Sequence, residues 1–177
     1  MIFQELKIKG AWLIEPEKQE DDRGFFARTW CQREFAARGL TTTFVQCNIS
    51  FNKKKGTLRG LHYQVPPAAE AKLIMCVKGA IHDVIVDLRQ DSPTYLHWLA
   101  VELTRNEHKL LYIPEGCAHG FQTTEPETEI FYLHTQFFSP EHERGIRYND
   151  PTLSIRWPLE VAMISERDQC HPYLQTV

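Results

Sequence analysis

The sequence predicts an all-β domain, a jelly-roll β-sandwich or barrel with a few short peripheral helices. Three observations point there. Apolar residues alternate with a period of two in window after window, turn-forming clusters separate those windows at short and fairly even intervals, and helical spacing is clear in a single window. A chain of 177 residues fits one domain, 1–177, large enough to bury a core without disulfides or structural metal.

In chain order, "CQREFAARGL" (31–40) reads as the helix, closed by Gly39 at C′. Strands follow at "TFVQCNIS" (43–50), around "LRGLHYQ" (58–64), and at "AKLIMCVKG" (71–79). "HDVIVDLR" (82–89) places Val84, Val86 and Leu88 on one face, and "HWLAVELT" (97–104) does the same for Leu99, Val101 and Leu103. "KLLYIP" (109–114) and "TEIFYLHT" (128–135) complete the series, the latter aligning Ile130, Tyr132 and His134. Turns fall between them at "KKKG", "VPPAAE", "QDSP", "TRNE", "PEG" and "TEPE". From about Asn149 prolines mix with apolar pairs, as in loops and short helical turns packed back on the sheets.

Composition excludes several classes. Hydrophobic residues at 42% and charged residues at 24% are ordinary globular usage. A net charge of -3 argues against a surface built for nucleic acid or an anionic membrane, while leaving room for a local basic pocket. The five cysteines (Cys31, Cys47, Cys76, Cys117, Cys170) form no C-x-x-C pair, so neither a disulfide framework nor a zinc site is indicated and a reducing cytoplasm is expected. No apolar run approaches the roughly 20 residues that cross a bilayer.

Within the strands, a few polar residues are out of place. His62, between Leu61 and Tyr63, taken alone reads as a structural histidine, and strict alternation puts Arg59 and His62 on opposite faces. For both to enter one pocket the strand must bulge near Gly60. Lys72 reads equally as a solvated strand end, Tyr132 as a packed tyrosine with one hydrogen bond, and Asp168 as a surface carboxylate. "IPEGCAHGF" (113–121) matches the cupin motif P-x-G-x-x-H, which supplies a metal ligand in metal-binding cupins. The partner motif needs two histidines one residue apart and then a glutamate. Here His62 is followed by Tyr63 and Gln64, too few ligands with His119 to fill a first coordination sphere, so no metal is expected.

Taken together, "DDRGFF" (21–26), "QCNIS" (46–50), "GTLRGLHYQ" (56–64), "AKL" (71–73), "DVIVDLR" (83–89), "IPEGCAHGF" (113–121), "FY" (131–132), "ERGIRYNDP" (143–151) and "ISERD" (164–168) resemble the dTDP-4-dehydrorhamnose 3,5-epimerase family over nearly the whole chain. That resemblance implies a cupin-type fold, no metal or other cofactor, and inversion of carbons beside the ketone of a 4-keto-6-deoxyhexose carried on a nucleoside diphosphate. Such chemistry needs a base, a charge to steady the enolate, and an acid on the opposite face of the sugar. By resemblance His62 is the base, Asp168 the carboxylate behind it, Lys72 the oxyanion-stabilising cation and Tyr132 the acid. Arg59 and Arg23 match diphosphate-holding positions, and Phe26, Gln46, Asn48 and His119 match pocket-lining ones. The segment around Arg23 crosses to a neighbouring subunit in that family, which implies a homodimer with shared sites.

The match departs at two places. Where family members commonly carry a glutamate that contacts thymine, this chain has Arg28, which can only donate, and this suggests a cytidine-linked or other non-thymidine substrate. Phe137 and Phe138 stand where the aromatic pair often ends in tyrosine, leaving inversion at C3 alone or C5 alone open. The competing readings are a nucleotide-sugar ketoisomerase, a metal-dependent cupin oxygenase and a catalytically silent nucleotide-sugar binder. The length and the "ISERD" tail favour the epimerase over the ketoisomerase.

Overall fold

Strands that alternate apolar and polar residues need a second apolar surface, and this chain supplies one by stacking two antiparallel sheets. The computed structural model describes residues 1–174. Its strands are β1 (Ile2–Glu5), β2 (Trp12–Glu15), β3 (Lys18–Asp21), β4 (Gly24–Ala27), β5 (Gln46–Asn52), β6 (Leu58–Gln64), β7 (Lys72–Lys78), β8 (Ala80–Asp87), β9 (Trp98–Thr104), β10 (Leu110–Ile113), β11 (Cys117–Thr123), β12 (Thr128–His134) and β13 (Glu143–Gly145). Two short helices, α1 (Gln32–Ala36) and α2 (Glu166–Gln169), complete it. One sheet has six strands in the order β1-β2-β10-β7-β12-β5, the other five in the order β13-β6-β11-β8-β9, and β3 and β4 form a separate hairpin.

The main core lies between the sheets. Ile74, Leu111 and Ile130 from the six-stranded sheet meet Ile81, Ile85, Leu103 and Phe121 from the five-stranded one. Leu99 and Val101 pack against this core beside Leu103, on the face that their alternation predicts. The outer faces are not bare. Leu73, Leu110 and Tyr112 turn away from the core and are covered by Phe35 of α1. On the other side Val84 and Val86 lie under Leu153, Ile155 and Trp157 of the C-terminal tail. β8 is therefore buried along almost its whole length, where alternation alone implies a half-buried strand.

The helix is shorter than its sequence pattern, with Ala37 as C-cap, so Gly39 at φ +68° reverses the chain two residues beyond the cap and not at C′. Phe35 is nonetheless wholly buried among Phe3, Trp30, Phe44 and Tyr112. Truncating such a side chain costs about 3–5 kcal/mol, so α1 is peripheral in place and central in packing.

Candidate active site

Inward-facing positions are apolar along most of the sandwich and become polar at one end. Period two carries the face of Ile74 to Lys72 on β7, and that of Ile130 to Tyr132 and His134 on β12. On β11 the face of Phe121 continues to His119, whose register partner is His62. These residues line a cavity of about 270 Å³ together with Asn48, Ser50, Arg59 and Glu70.

Arg59 and His62 share the cavity because β6 carries one extra residue. His119 pairs with His62 and Gly120 with Gly60, leaving Leu61 bulged toward the opposite face, under the tail. Glycine is required at this point. Gly60 has φ +103°, and a Cβ there would sit 2.6 Å from the His119 carbonyl oxygen and 2.7 Å from Gly120 Cα.

His62 Nε2 lies 2.7 Å from Asp168 Oδ1. Asp168 is buried on α2, where Ser165 caps the helix by accepting the Asp168 backbone N–H at 3.0 Å. Burial pushes the Asp168 carboxyl up in pKa. The hydrogen bond and charge of His62, with the N–H of Gly60, outweigh burial and hold the group below the ordinary carboxylate value. An ionised Asp168 fixes the ring of His62 and favours the imidazolium formed when it takes a proton.

Tyr132 approaches from the other sheet. Its hydroxyl is 3.3 Å from Ser50 Oγ, and its ring stacks on His134 at 5.9 Å and 21°. Burial raises its pKa well above that of an ordinary phenol, so it stays protonated and ready to donate. Lys72 is buried, with Nζ 3.3 Å from Glu70 Oε1, and the other oxygen of Glu70 accepts from His134 Nδ1 at 2.8 Å. Burial pushes Glu70 up as well, but His134 and Lys72 more than offset it and its pKa falls below the usual value. His119 Nε2 pairs with the buried Asp83 at 2.8 Å. Arg59 Nε donates to Asn52 Oδ1 at 2.7 Å, holding the guanidinium at the cavity edge.

Of the residues singled out in the sequence, His62, Lys72, Tyr132, Arg59, Asn48 and His119 meet at this cavity, and Asp168 stands behind His62. Gln46 lies beside it, accepting the Phe138 backbone N–H at 3.2 Å. Arg23, Phe26 and Arg28 do not reach it within this chain. Arg23 folds onto Asp21, with Nε 3.1 Å from Oδ2, Phe26 is 72% exposed, and Arg28 Nη1 lies 3.4 Å from Glu34 Oε1. Phe26 and Arg28 border a separate recess shared with Glu17 and Glu34.

Sequence reasoning missed Glu70, Asp83, His134 and His171. Glu70 carried a usable signal, since it stands two residues before Lys72 and so in its register. His171 packs its ring against Gly145, where no side chain fits, and its Nε2 lies 3.5 Å from Asp168 Oδ1. The ligand atoms of His62, Asp168 and His171 lie within 4.8 Å of one another. His119, the cupin-motif histidine, is outside that group and committed to Asp83.

Residues 5–176 match the family model described as dTDP-4-dehydrorhamnose 3,5-epimerase. A dTDP-4-dehydrorhamnose 3,5-epimerase of Sinorhizobium fredii is 41% identical over 175 residues, covering 98% of this chain and 90% of that one. The crystal structure of dTDP-4-dehydrorhamnose 3,5-epimerase from Bacillus anthracis with TDP and PPi bound superposes with a TM-score of 0.94 at 41% identity, covering 98% of this chain and 99% of that chain. ChmJ, a 3'-monoepimerase from Streptomyces bikiniensis solved with dTDP-quinovose, gives 0.88 at 32% identity, covering 95% of this chain and 85% of its own. The sandwich described above is thus cupin-like, as the sequence motifs implied.

Proposed function

The chain belongs to the dTDP-4-dehydrorhamnose 3,5-epimerase family of carbohydrate epimerases, and from that premise we propose that it inverts carbon beside the ketone of a nucleoside-diphosphate 4-keto-6-deoxyhexose. His62, backed by Asp168, removes the proton, and the electron pair moves onto the ketone oxygen as an enolate. Lys72 balances that charge as a compact cation. Tyr132 then returns a proton to carbon from the other side of the ring as the ketone re-forms, after which the His62 imidazolium gives up its proton to solvent and the tyrosinate takes one back. The observation that carries this reading is that a carboxylate-backed imidazole on β6 and a protonated phenol on β12 enter one cavity from opposite sheets.

The cavity has room for a hexose ring, so the diphosphate and nucleoside lie outside it, past Arg59. Arg23 and Phe26 contribute to this outer site from a second copy of the chain. Supporting a homodimer, the β3–β4 hairpin leaves Phe25 and Phe26 exposed, and the edge strand β5 exposes Ile49 and Phe51 beside the cavity. The cytidine-linked substrate rests on Arg28, a pure donor suited to the N3 and O2 acceptors of cytosine. Beside it Glu34 supplies an acceptor, which a thymine N3–H needs, so competition among CDP, GDP and dTDP decides the base. A clear preference for dTDP assigns this chain the nucleotide named for its relatives.

The test of the reaction is incubation with CDP- and dTDP-4-keto-6-deoxyglucose in heavy water, followed by NMR. Deuterium entering at C3, C5 or both, with inversion, is the expected result and also counts the carbons inverted. An unlabelled, unchanged sugar from both substrates defeats the proposal.

A further inference from the structure

Glu70 poses an electrostatic problem. A carboxylate beside Lys72 works against a site that must receive a diphosphate and steady an enolate, since it cancels part of the charge that the oxyanion requires. Nor does it have a ready explanation in stability, because a buried ion pair is often no more favourable than apolar packing of the same volume. Its geometry supplies a different reason. The side chain is 9% exposed, and its two oxygens are divided, one on Lys72 Nζ at 3.3 Å and the other on His134 Nδ1 at 2.8 Å. Lys72 and His134 are themselves register partners across β7 and β12, so Glu70 closes a three-membered cluster that spans both strands.

We infer that Glu70 is a positioning residue for the epimerisation, holding the Lys72 ammonium at the developing oxyanion and, through His134, the ring of Tyr132. This rests on the catalytic roles proposed above for Lys72 and Tyr132. A lysine stem has four rotatable bonds, and a cation free to wander stabilises an oxyanion poorly, because catalysis by charge depends on the charge being in place beforehand. Glu70 removes that freedom. The second oxygen acts one step further away. Accepting from Nδ1–H fixes the tautomer of His134 and leaves the Nε2 lone pair facing the cavity, where Asn48 Nδ2 donates at 3.2 Å. The ring so fixed is the one on which Tyr132 stacks. One carboxylate thereby orients both the cation needed for proton removal and the phenol needed for proton return.

The experiment is a double-mutant cycle on the full-length protein with Glu70→Gln and Lys72→Met, reading kcat, KM and the rate of deuterium entry from heavy water. Glu70→Gln keeps the shape and removes the charge. The expected result is a fall in kcat of about 10- to 100-fold with KM changed by less than about 3-fold, and slower deuterium entry. In the Lys72→Met background the same substitution is expected to lower kcat by clearly less than in the parent, because one of the two groups it positions is gone while His134 and Tyr132 remain. Unchanged kcat in Glu70→Gln, or an equal loss in both backgrounds, overturns the inference. Should Glu70→Gln not fold, Glu70→Asp, one methylene too short to reach both partners, is read in the same cycle by the same criteria. An active wild type that loses activity in Lys72→Met upholds the catalytic reading whatever Glu70 does, whereas an inert wild type overturns that reading and this inference together.

Discussion

Gly60 donates its backbone N–H to Asp168 Oδ2 at 3.1 Å, while His62, two residues along, engages the other oxygen of the same carboxylate at 2.7 Å. The bulge in β6 and the backing of the histidine are therefore one device. The irregular strand brings Arg59 and His62 to the same cavity and also aims a main-chain donor at the group that fixes the ring.

Gly60→Ala tests that device. The new methyl must displace either β6 or the His119–Gly120 backbone, at a residue already in a backbone region that side chains avoid. A loss of about 2–4 kcal/mol in chemical denaturation is expected, together with a fall in kcat of at least about 10²-fold in the molecules that remain folded. Full turnover by this variant counts against the coupling of bulge and chemistry.

His62→Ala separates chemistry from folding. The side chain is 30% exposed, so the variant is expected to fold, with some thermal stability lost because the buried Asp168 is left without its partner, while kcat falls about 10²–10⁴-fold, the usual cost of losing a general base. Asp168→Asn is expected to lose a comparable share of activity, because a neutral amide no longer favours the imidazolium.

For Tyr132→Phe the two halves of the reaction come apart. Proton removal does not use the phenol, so deuterium continues to enter the sugar from heavy water while inverted product falls by about 10²-fold or more. Loss of exchange in step with loss of product shows instead that the phenol takes part in deprotonation.

His171 gives the fold a dependence on pH. Burial, and then the charge of His62, lowers its pKa below the ordinary 6.5. Below that value the unfolded chain binds more protons at this position than the folded one, so stability declines as pH drops through 6.5 and is regained as pH rises. Asp168, whose pKa is lowered from 3.8, contributes stability that is present above that value and fades only in stronger acid. His171→Gln is expected to flatten melting temperature against pH just below 6.5, measured by scanning calorimetry.

Asp87 is a structural counterpart that does not line the cavity. It is wholly buried, accepts Arg89 Nε and Nη2 at 2.8 Å each, and also takes the hydroxyls of Ser92 and Thr94. Burial opposes its ionisation, but those donors hold its pKa well below the usual range. Asp87→Asn leaves the Arg89 charge unmatched, and a loss of about 3 kcal/mol in urea unfolding is expected with kcat unchanged.

Much of the sandwich was legible because alternation is a local signal. Val84, Val86, Leu99, Val101 and Leu103 fall on the faces that spacing assigns them. What alternation cannot report is a second cover. That β8 is buried on both sides depends on Trp157 and Leu153, more than sixty residues downstream. β1 and β2 escaped notice because Ile2–Glu5 and Trp12–Glu15 are too short to establish a period. Within the site, His62, Lys72, Tyr132 and Asp168 were named through motifs, and the need for a bulge at Gly60 followed from period two alone. Asp83 and His134 did not stand out, since each is an ordinary residue in its own strand and gains meaning from a partner on another, and Glu70, just ahead of β7, offered only its two-residue spacing from Lys72.

The carboxylate behind His62 comes 106 residues after it, on the tail that clads the five-stranded sheet. During synthesis both sheets can close with histidine, lysine and tyrosine already in the cleft while the imidazole still lacks its counterion. On the proposed mechanism, turnover is expected to await docking of this final stretch of polypeptide, and cleavage of the chain ahead of α2 is expected to lower activity by taking the carboxylate from His62.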